Sequence, residues 1–357
     1  MSDGKVIQLK DGISKVEKQI QEVSDPWEIF TLTDAYQERD PLKYIIGGLF
    51  TLPSLSIVYG SPGTLKSMFL VDAMAHVAGG IPWLGREVIQ SPALWIDFDN
   101  GRRRTHERIA SVSRYLKLQE NDPLYYVSMP NPPLDAGDTA SIDALGDRIT
   151  AKGIRFMVID NLGLISPRSD ENSDSMVKVM GNLRMLSEKT GCAIVIIHHQ
   201  RKSKDGKSGP IGESLRGHSS IAGAIDLALL IKRGENSDSI EAHSTKTRDV
   251  EVYPFGAEYQ FTHKGQTTEL LTSTFVPCET EMDIANKELD DTIISIASES
   301  IAITQNALAK KVGQVGQTSV TNAKKRIRYL GDHGILLVKD GPNKSLLYSV
   351  KSIRELQ

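Results

Sequence analysis

The chain has 357 residues, a formal net charge of −3 and 24% charged residues, a length that suits one large α/β domain plus a small one. The charged and apolar fractions are those of an ordinary globular protein, and the slightly negative balance excludes a global basic field, so any nucleic-acid contact must come from local patches. The two cysteines, Cys192 and Cys278, have neither metal nor disulfide spacing. No apolar run reaches spanning length, and the N-terminus is too charged for a signal peptide. These features lead to the expectation of a cytoplasmic protein with no membrane contact, in a reducing compartment.

Residues 1–40 are polar, with a short helix pattern at 13–23 and punctuation at Asp25-Pro26 and Asp40-Pro41. Trp27, Ile29, Phe30 and Leu32 are apolar enough to want a partner surface. The segment reads either as a flexible arm or as a linker that packs on a neighbouring subunit.

The stretch 45–52 leads into an apolar strand at 55–59, followed by Gly60-Ser61-Pro62-Gly63-Thr64-Leu65-Lys66-Ser67 and then a long apolar helix pattern over 68–78. Strand, glycine-containing loop, Lys-Ser and helix in that order make a P-loop. Backbone N–H groups of the stretch Gly60 to Met68, Pro62 apart, and the positive end of the helix would wrap a phosphate chain. Lys66 adds an ammonium for the β- and γ-phosphates, and the Ser67 hydroxyl can ligate Mg²⁺. One position departs from the motif: Leu65 stands where a glycine is expected, and a Cβ there narrows the allowed backbone.

After the turn-rich connector Gly79 to Gly85, the stretch 93–99 is an apolar strand ending in Asp97 and Asp99 at alternate positions, which would put both acids on one side. The basic stretch Arg102 to Arg108 reads as the start of a helix. A short strand at 124–128, a Pro-rich loop at 130–133 and a helix at 142–152 follow. Residues 156–160 form an apolar run without alternation, as in a parallel strand buried on both faces. Its terminal acid, Asp160, stands at a carboxyl end, where ligands sit in such sheets, and matches the Walker B acid that would hold Mg²⁺.

A polar loop at 166–175 precedes a helix at 176–190, which stops at Gly191. The buried strand at 193–200 ends in His198, His199 and Gln200, and the histidines are positioned to sense a γ-phosphate. Residues 201–215 are Gly/Ser-rich and basic, with Arg201, Lys202, Lys204 and Lys207. Arg216 to Ser220 then enters a helix, followed by strands at 226–231, 244–248, 253–261 and 267–271. Strands alternating with helices imply a mainly parallel sheet.

Residues 276–288 are acidic and polar and read as a linker. Beyond them come helices at 289–298, 305–312 (capped by Thr304) and a third, capped by Thr318 or Ser319, through residue 330. Strands at 335–338 and 346–350 close the chain. Three helices and a hairpin are the winged-helix order. The third helix carries Lys324, Lys325, Arg326 and Arg328, and no acid lies between Thr304 and Gly331, which suits a helix in a DNA groove.

The joint order of these motifs, with Arg216-Gly217-His218-Ser219-Ser220 and the Gly80 to Gly85 connector, resembles the RepA-type ATPases, RecA-fold ring-forming helicases of plasmids, phages and other mobile elements. The match covers about residues 40–272. The resemblance implies a RecA-like P-loop core over 41–275 that binds ATP and Mg²⁺ and assembles as a homo-oligomer, a hexamer, with a winged helix over 289–357 as an addition. It implies that Asp99 occupies the place of the catalytic glutamate, one methylene shorter, and that His199 is the γ-phosphate sensor. Arg216 would be an arginine finger reaching a neighbour's site, and Lys246 with Arg248 a second finger pair. Arg201, Lys202 and Lys204 would line a pore that tracks single-stranded DNA, while the winged helix holds duplex. The function implied is a DNA-dependent motor of the replicative helicase type. A slowly hydrolysing loader or regulator, which Leu65 and Asp99 favour, and a RecA-like recombination mediator are the alternatives.

Overall fold

The apolar run before the P-loop forms the middle of the molecule because every residue of its strand is buried, and buried strands need a neighbour on each side. The computed structural model describes residues 29–166, 174–199, 219–234, 237–248, 251–315, 318–332, 334–342 and 345–350. It divides into two units, Met1–Leu42 and Lys43–Gln357. The described part of the first unit is one short helix, α1 (Leu32–Ala35), closed by a capping box between Thr31 and Asp34. Ile29, Phe30 and Leu32 are exposed. The helix expected at 13–23, and Trp27, lie outside the described residues.

The second unit opens with a small hairpin, β1 (Tyr44–Ile46) and β2 (Phe50–Thr51). β3 (Ser54–Gly60) and α2 (Lys66–Gly79) flank the P-loop. Next come β4 (Ala93–Asp97), α3 (Arg102–Leu116), β5 (Leu124–Ser128), α4 (Thr139–Lys152) and β6 (Phe156–Asp160). After these follow α5 (Asp174–Thr190), β7 (Ala193–His199), α6 (Ser219–Ala224), β8 (Leu227–Arg233) and β9 (Ser239–Thr247). β10 (Phe255–His263) and β11 (Leu270–Cys278) complete a nine-stranded sheet in the order β11-β10-β9-β8-β3-β7-β6-β4-β5. From β8 to β5 the strands are parallel; β9, β10 and β11 extend the sheet antiparallel. This is an α/β fold with a large, mostly parallel central sheet.

Strand alternation builds two cores. Val58, Trp95, Val158 and Val195 face α2 and α3, while Ile57, Tyr59, Ile159 and Ile196 face α4, α5 and α6. Helix α2 lies almost wholly buried and carries one buried acid, Asp72. That carboxylate accepts from Trp83 Nε1–H at 2.8 Å and from the Thr274 hydroxyl at 3.0 Å, fastening the connector after α2 and strand β11 to the P-loop helix. Burial pushes the Asp72 carboxyl up to about 7, against the pull of those two hydrogen bonds. Among the described residues no helix is long and apolar enough to cross a membrane.

Several stretches differ from the sequence expectation, and the strands expected at 244–248 and 253–261 run Ser239–Thr247 and Phe255–His263. The last strand of the sheet runs Leu270–Cys278 rather than 267–271, because it pairs with β10 as far as Gly256↔Cys278. The residues expected as a linker hold the end of β11 and a short helix, α7 (Glu281–Ala285), with a capping box between Thr280 and Asp283. Polarity there marks helix capping, not an open chain.

Then come α8 (Lys287–Ser298), β12 (Ile303–Thr304), α9 (Gln305–Gln314), α10 (Val320–Asp332), β13 (Leu336–Asp340) and β14 (Leu346–Val350). The strands form a sheet in the order β12-β14-β13, and Ile293, Leu308, Val312, Ile327, Leu330 and Tyr348 fill a separate core. Thr304 caps α9, and Ser319 accepts from the Asn322 N–H at 3.2 Å to cap α10.

Arg326 does not face outward. Its Nε donates to Asp290 at 2.7 Å and its Nη2 to Asp290 at 2.6 Å and Asp283 at 3.2 Å, and the guanidinium lies 4.1 Å from the Tyr329 ring centroid. Two acids upstream in sequence claim this cation, so it is removed from the candidate DNA-reading set. Lys325 and Arg328 are exposed and Lys324 half-buried. Tyr329 O–H donates to Asp283 at 2.7 Å, and Tyr253, just before β10, donates to Asp332 at 3.1 Å. This polar seam joins α10 to α7 and to the large sheet.

Arg326→Ala leaves Asp283 and Asp290 close together without their cation, a change expected to cost about 3 kcal/mol. Chemical denaturation monitored by hydrogen exchange in α8–α10 measures it, with Lys325→Ala expected to change stability by less than about 0.5 kcal/mol. Burial works against the Asp283 charge, but bonds from Tyr329, Thr280 and Arg326 outweigh it and hold its pKa below the usual range. Its contribution is therefore fully present above the unfolded carboxylate value of about 3.9 and is lost as pH falls from there through the lower native value.

Candidate nucleotide-binding site

Strand register brings the chemistry to one edge. Gly60 lies beside His199, Asp160 is paired with Asp97, and these residues end the neighbouring strands β3, β7, β6 and β4. All four strands are parallel, so their carboxyl ends form one rim, and the chain reverses its lateral direction here.

The P-loop crosses this rim. A Cβ on Gly60 would lie 2.4 Å from the Ile231 carbonyl oxygen, so only glycine lets β3 run that close to β8. Ser61, Pro62 and Gly63 are exposed, while Thr64 and Lys66 are buried. Leu65 adopts a left-handed conformation at φ 62°, ψ 14°, which is what a glycine at this place supplies freely. The departure foreseen from sequence is thus a backbone strain of about 1 kcal/mol, and the Leu65 side chain packs against the core cluster under α2. Lys66 Nζ donates to the Ser61 carbonyl at 2.8 Å and approaches Thr64 Oγ1 at 3.3 Å. The Thr64 hydroxyl donates to the same carbonyl at 2.9 Å.

Ser67 Oγ donates to Asp160 Oδ2 at 2.7 Å, and Asn100 Nδ2 reaches the same oxygen at 3.3 Å. Burial is the main force raising the Asp160 pKa, opposed by the Ser67 hydrogen bond and reinforced by Asp97 and Asp99. Arg108, half-buried on α3, has its pKa lowered by burial and is pulled back by Asp160 and Asp97. This cation and the Asn100 amide were not singled out in the sequence. Arg108 lies within a run of arginines whose other members are exposed, and only the fold separates it from them.

The two acids at the end of β4 do not share a side. The strand stops at Asp97, which is buried and accepts from the N–H groups of Asp99 at 2.9 Å and Asn100 at 3.0 Å, with the Thr105 hydroxyl on its other oxygen. This Asx turn ends the alternation, so Asp99 sits in the turn and is exposed. The acid–x–acid spacing gave no way to tell them apart. His198 is buried and His199 is exposed at the rim.

Lys246 and Arg248 lie elsewhere. β9 runs antiparallel to β8, with Lys246 opposite Ala228 and Thr247 opposite Leu227, while Leu227 is opposite Ser56 in the first half of β3. From Ser56 to Gly60 is about 13 Å of strand, more than either side chain spans. In this chain Lys246 Nζ donates to the Ala222 carbonyl, and Arg248 to the Gly223 carbonyl and, at 3.4 Å, to Asp226. Arg216, Arg201, Lys202 and Lys204 lie outside the described residues.

The donor set suits a magnesium nucleotide. A hydroxyl and a carboxylate oxygen 2.7 Å apart beside a lysine are hard ligands of the kind Mg²⁺ takes together with substrate phosphates. Among the described residues no group of three or more His, Cys, Asp or Glu forms an all-protein cage. A family model described as an AAA domain matches residues 23–205, just over half of the chain. The protein belongs to this AAA-domain family. Membership supports ATP binding through the P-loop and, in general terms, ATP hydrolysis.

Lys66 supplies a direct test. Burial pulls its ammonium down to about 8, with Asp160 drawing it back up. Between that value and the ordinary lysine value of about 10.4 the unfolded chain holds the extra proton, so stability of the unliganded protein rises with pH across this window. A bound polyphosphate restores the charge. ATP binding is therefore expected to take up a proton above pH 8 and to weaken roughly tenfold by pH 9. Isothermal titration in buffers of different ionisation enthalpy measures both, and Lys66→Ala should remove the proton uptake.

Proposed function

We propose that the protein is an ATP-hydrolysing, ring-forming motor on DNA, of the RepA-type helicase kind, with the 289–350 module as a winged helix that holds duplex. The observation that carries this reading is the separation within one chain of the P-loop rim from Lys246 and Arg248. Cations too far from their own P-loop to serve it suit the site of an adjacent copy, where they would offset charge on the transferring phosphoryl group. A ring, a hexamer in the related helicases, gives each P-loop such a neighbour.

Within one site, Lys66 would exchange the Ser61 carbonyl for the β- and γ-phosphates. Ser67 and Asp160 would hold Mg²⁺, whose role is to neutralise phosphate charge and orient the chain of phosphates. Asp99, exposed at the rim, would orient the attacking water, and His199 would report the γ-phosphate to the residues that follow β7. The basic residues 201, 202 and 204 would track a single strand. On α10 the outward residues Thr321, Lys325 and Arg328 recur at helical spacing, with Lys324 at the margin, and suit a phosphate-lined groove.

A second reading is a nucleotide-gated loader or switch that hydrolyses slowly. The strained backbone at Leu65 and the exposure of Asp99 favour it, since an acid in open solvent holds a water less firmly than a buried one.

Steady-state ATP hydrolysis with and without single-stranded DNA separates the two. The motor reading expects stimulation of about tenfold or more, lost in Lys66→Ala, since a P-loop lysine acts on the transferring phosphates themselves. Near-zero turnover with intact nucleotide binding supports the switch. Mixing Arg248→Ala with Lys66→Ala subunits should restore part of the activity at mixed interfaces, and a complete failure to do so removes the trans assignment.

A further inference from the structure

Arg233 stands at the carboxyl end of β8 and was part of no motif. Its guanidinium is held on three sides. Nε donates to the Ser237 carbonyl at 2.5 Å, Nη2 to Asp238 Oδ1 at 3.2 Å, and Nη1 to the Gly63 carbonyl at 3.1 Å. The first two bonds come from the β8–β9 turn and aim the third at the P-loop.

The loop has need of such a contact. Gly63, at φ 81°, has no heavy atom other than those of its chain neighbours within 4 Å of where a Cβ would stand, and residues 61–63 are exposed. From inside, the Thr64 hydroxyl and Lys66 both bond the Ser61 carbonyl. Lys66 must leave that oxygen to meet a phosphate, which halves the internal bracing when the loop takes its load. The next residue but one, Leu65, is in a left-handed conformation that a non-glycine residue resists. An external donor on the Gly63 carbonyl acts on this weak point. The Gly63–Thr64 peptide is trans and planar, so fixing its carbonyl toward Arg233 fixes the Thr64 N–H, which points the opposite way in the same plane.

We propose that Arg233 is a positioning residue for the nucleotide site: it clamps the Gly63–Thr64 peptide so that the P-loop amides stay aimed at the phosphates despite leucine at position 65, and it makes the β8–β9 turn part of the phosphate cradle. Arg233 does not touch the nucleotide; it acts through the loop. The inference rests on the nucleotide-binding reading of this site and names the residue that keeps it ordered.

The test is titration of the full-length protein with a fluorescent ADP analogue, alongside thermal unfolding without nucleotide. Wild type should bind; if it does not, the nucleotide reading fails and the inference with it. Given binding by wild type, Arg233→Ala should weaken the affinity for ADP about tenfold, the order of one charge-assisted hydrogen bond. The unliganded Tm should stay within a few degrees of wild type. Arg233→Lys, which keeps the charge and one donor, should recover part of the loss. Asp238→Ala, which frees one side of the guanidinium without touching the loop, should weaken ADP binding by a smaller factor. Binding by Arg233→Ala within twofold of wild type overturns the proposal. So does a loss of affinity matched by a large fall in Tm that Arg233→Lys does not relieve, since that marks a residue of general stability. If Arg233→Ala does not fold, Asp238→Ala decides: unchanged ADP affinity in that variant overturns the clamp.

Discussion

The backbone at residue 65 has to turn left-handed for Lys66 and Ser67 to begin a helix whose first turn faces the loop. Everything at the rim depends on that one turn. It sets the direction of the lysine, it delivers the Ser67 hydroxyl to Asp160, and it points the amino end of α2 at the cradle. Glycine would make the turn at no steric cost. Leucine makes it at about 1 kcal/mol and recovers part of that by packing against the core beneath α2. The site therefore stores a small strain in its backbone and draws on a hydrophobic side chain to keep it.

The electrostatics around this turn are balanced by position, not by number. Three carboxylates, Asp97, Asp99 and Asp160, stand against Lys66 and Arg108, and burial works on each sign in the expected direction. It raises the pKa of Asp160 and lowers those of the two cations. The buried member of the acid pair, Asp97, spends its oxygens on the Asx turn and on Thr105, so it acts as a structural acceptor. The exposed member is left with its carboxylate toward solvent.

Much of this was legible in the residues. Apolar runs without alternation named the parallel strands, and the P-loop and the acid ending β6 followed from context, because a strand, a turn and a helix in fixed order leave few alternatives. What escaped were features that depend on partners far away in the chain. Arg326 reads as one more cation on a basic helix, yet its partners are Asp283 and Asp290, 43 and 36 residues upstream. Arg233 is an ordinary strand-end arginine until β8 is laid beside β3, which brings it to a glycine 170 positions earlier in the chain. Asp97 and Asp99 were misjudged for a local reason: a period of two holds only while the strand lasts, and the first acid itself ends the strand by capping the turn.

Helix α10 divides its work between two faces. The inward face carries Ile327 and Leu330 in the core and Arg326 in its acid clamp, while Thr321, Lys325 and Arg328 bear none of that duty. Attachment and outward chemistry are thereby written in separate residues of one helix. Mutation can exchange the outward set while the helix stays seated on the same clamp. A helix arranged in this way can change its outward face in single steps, with foldability preserved at each.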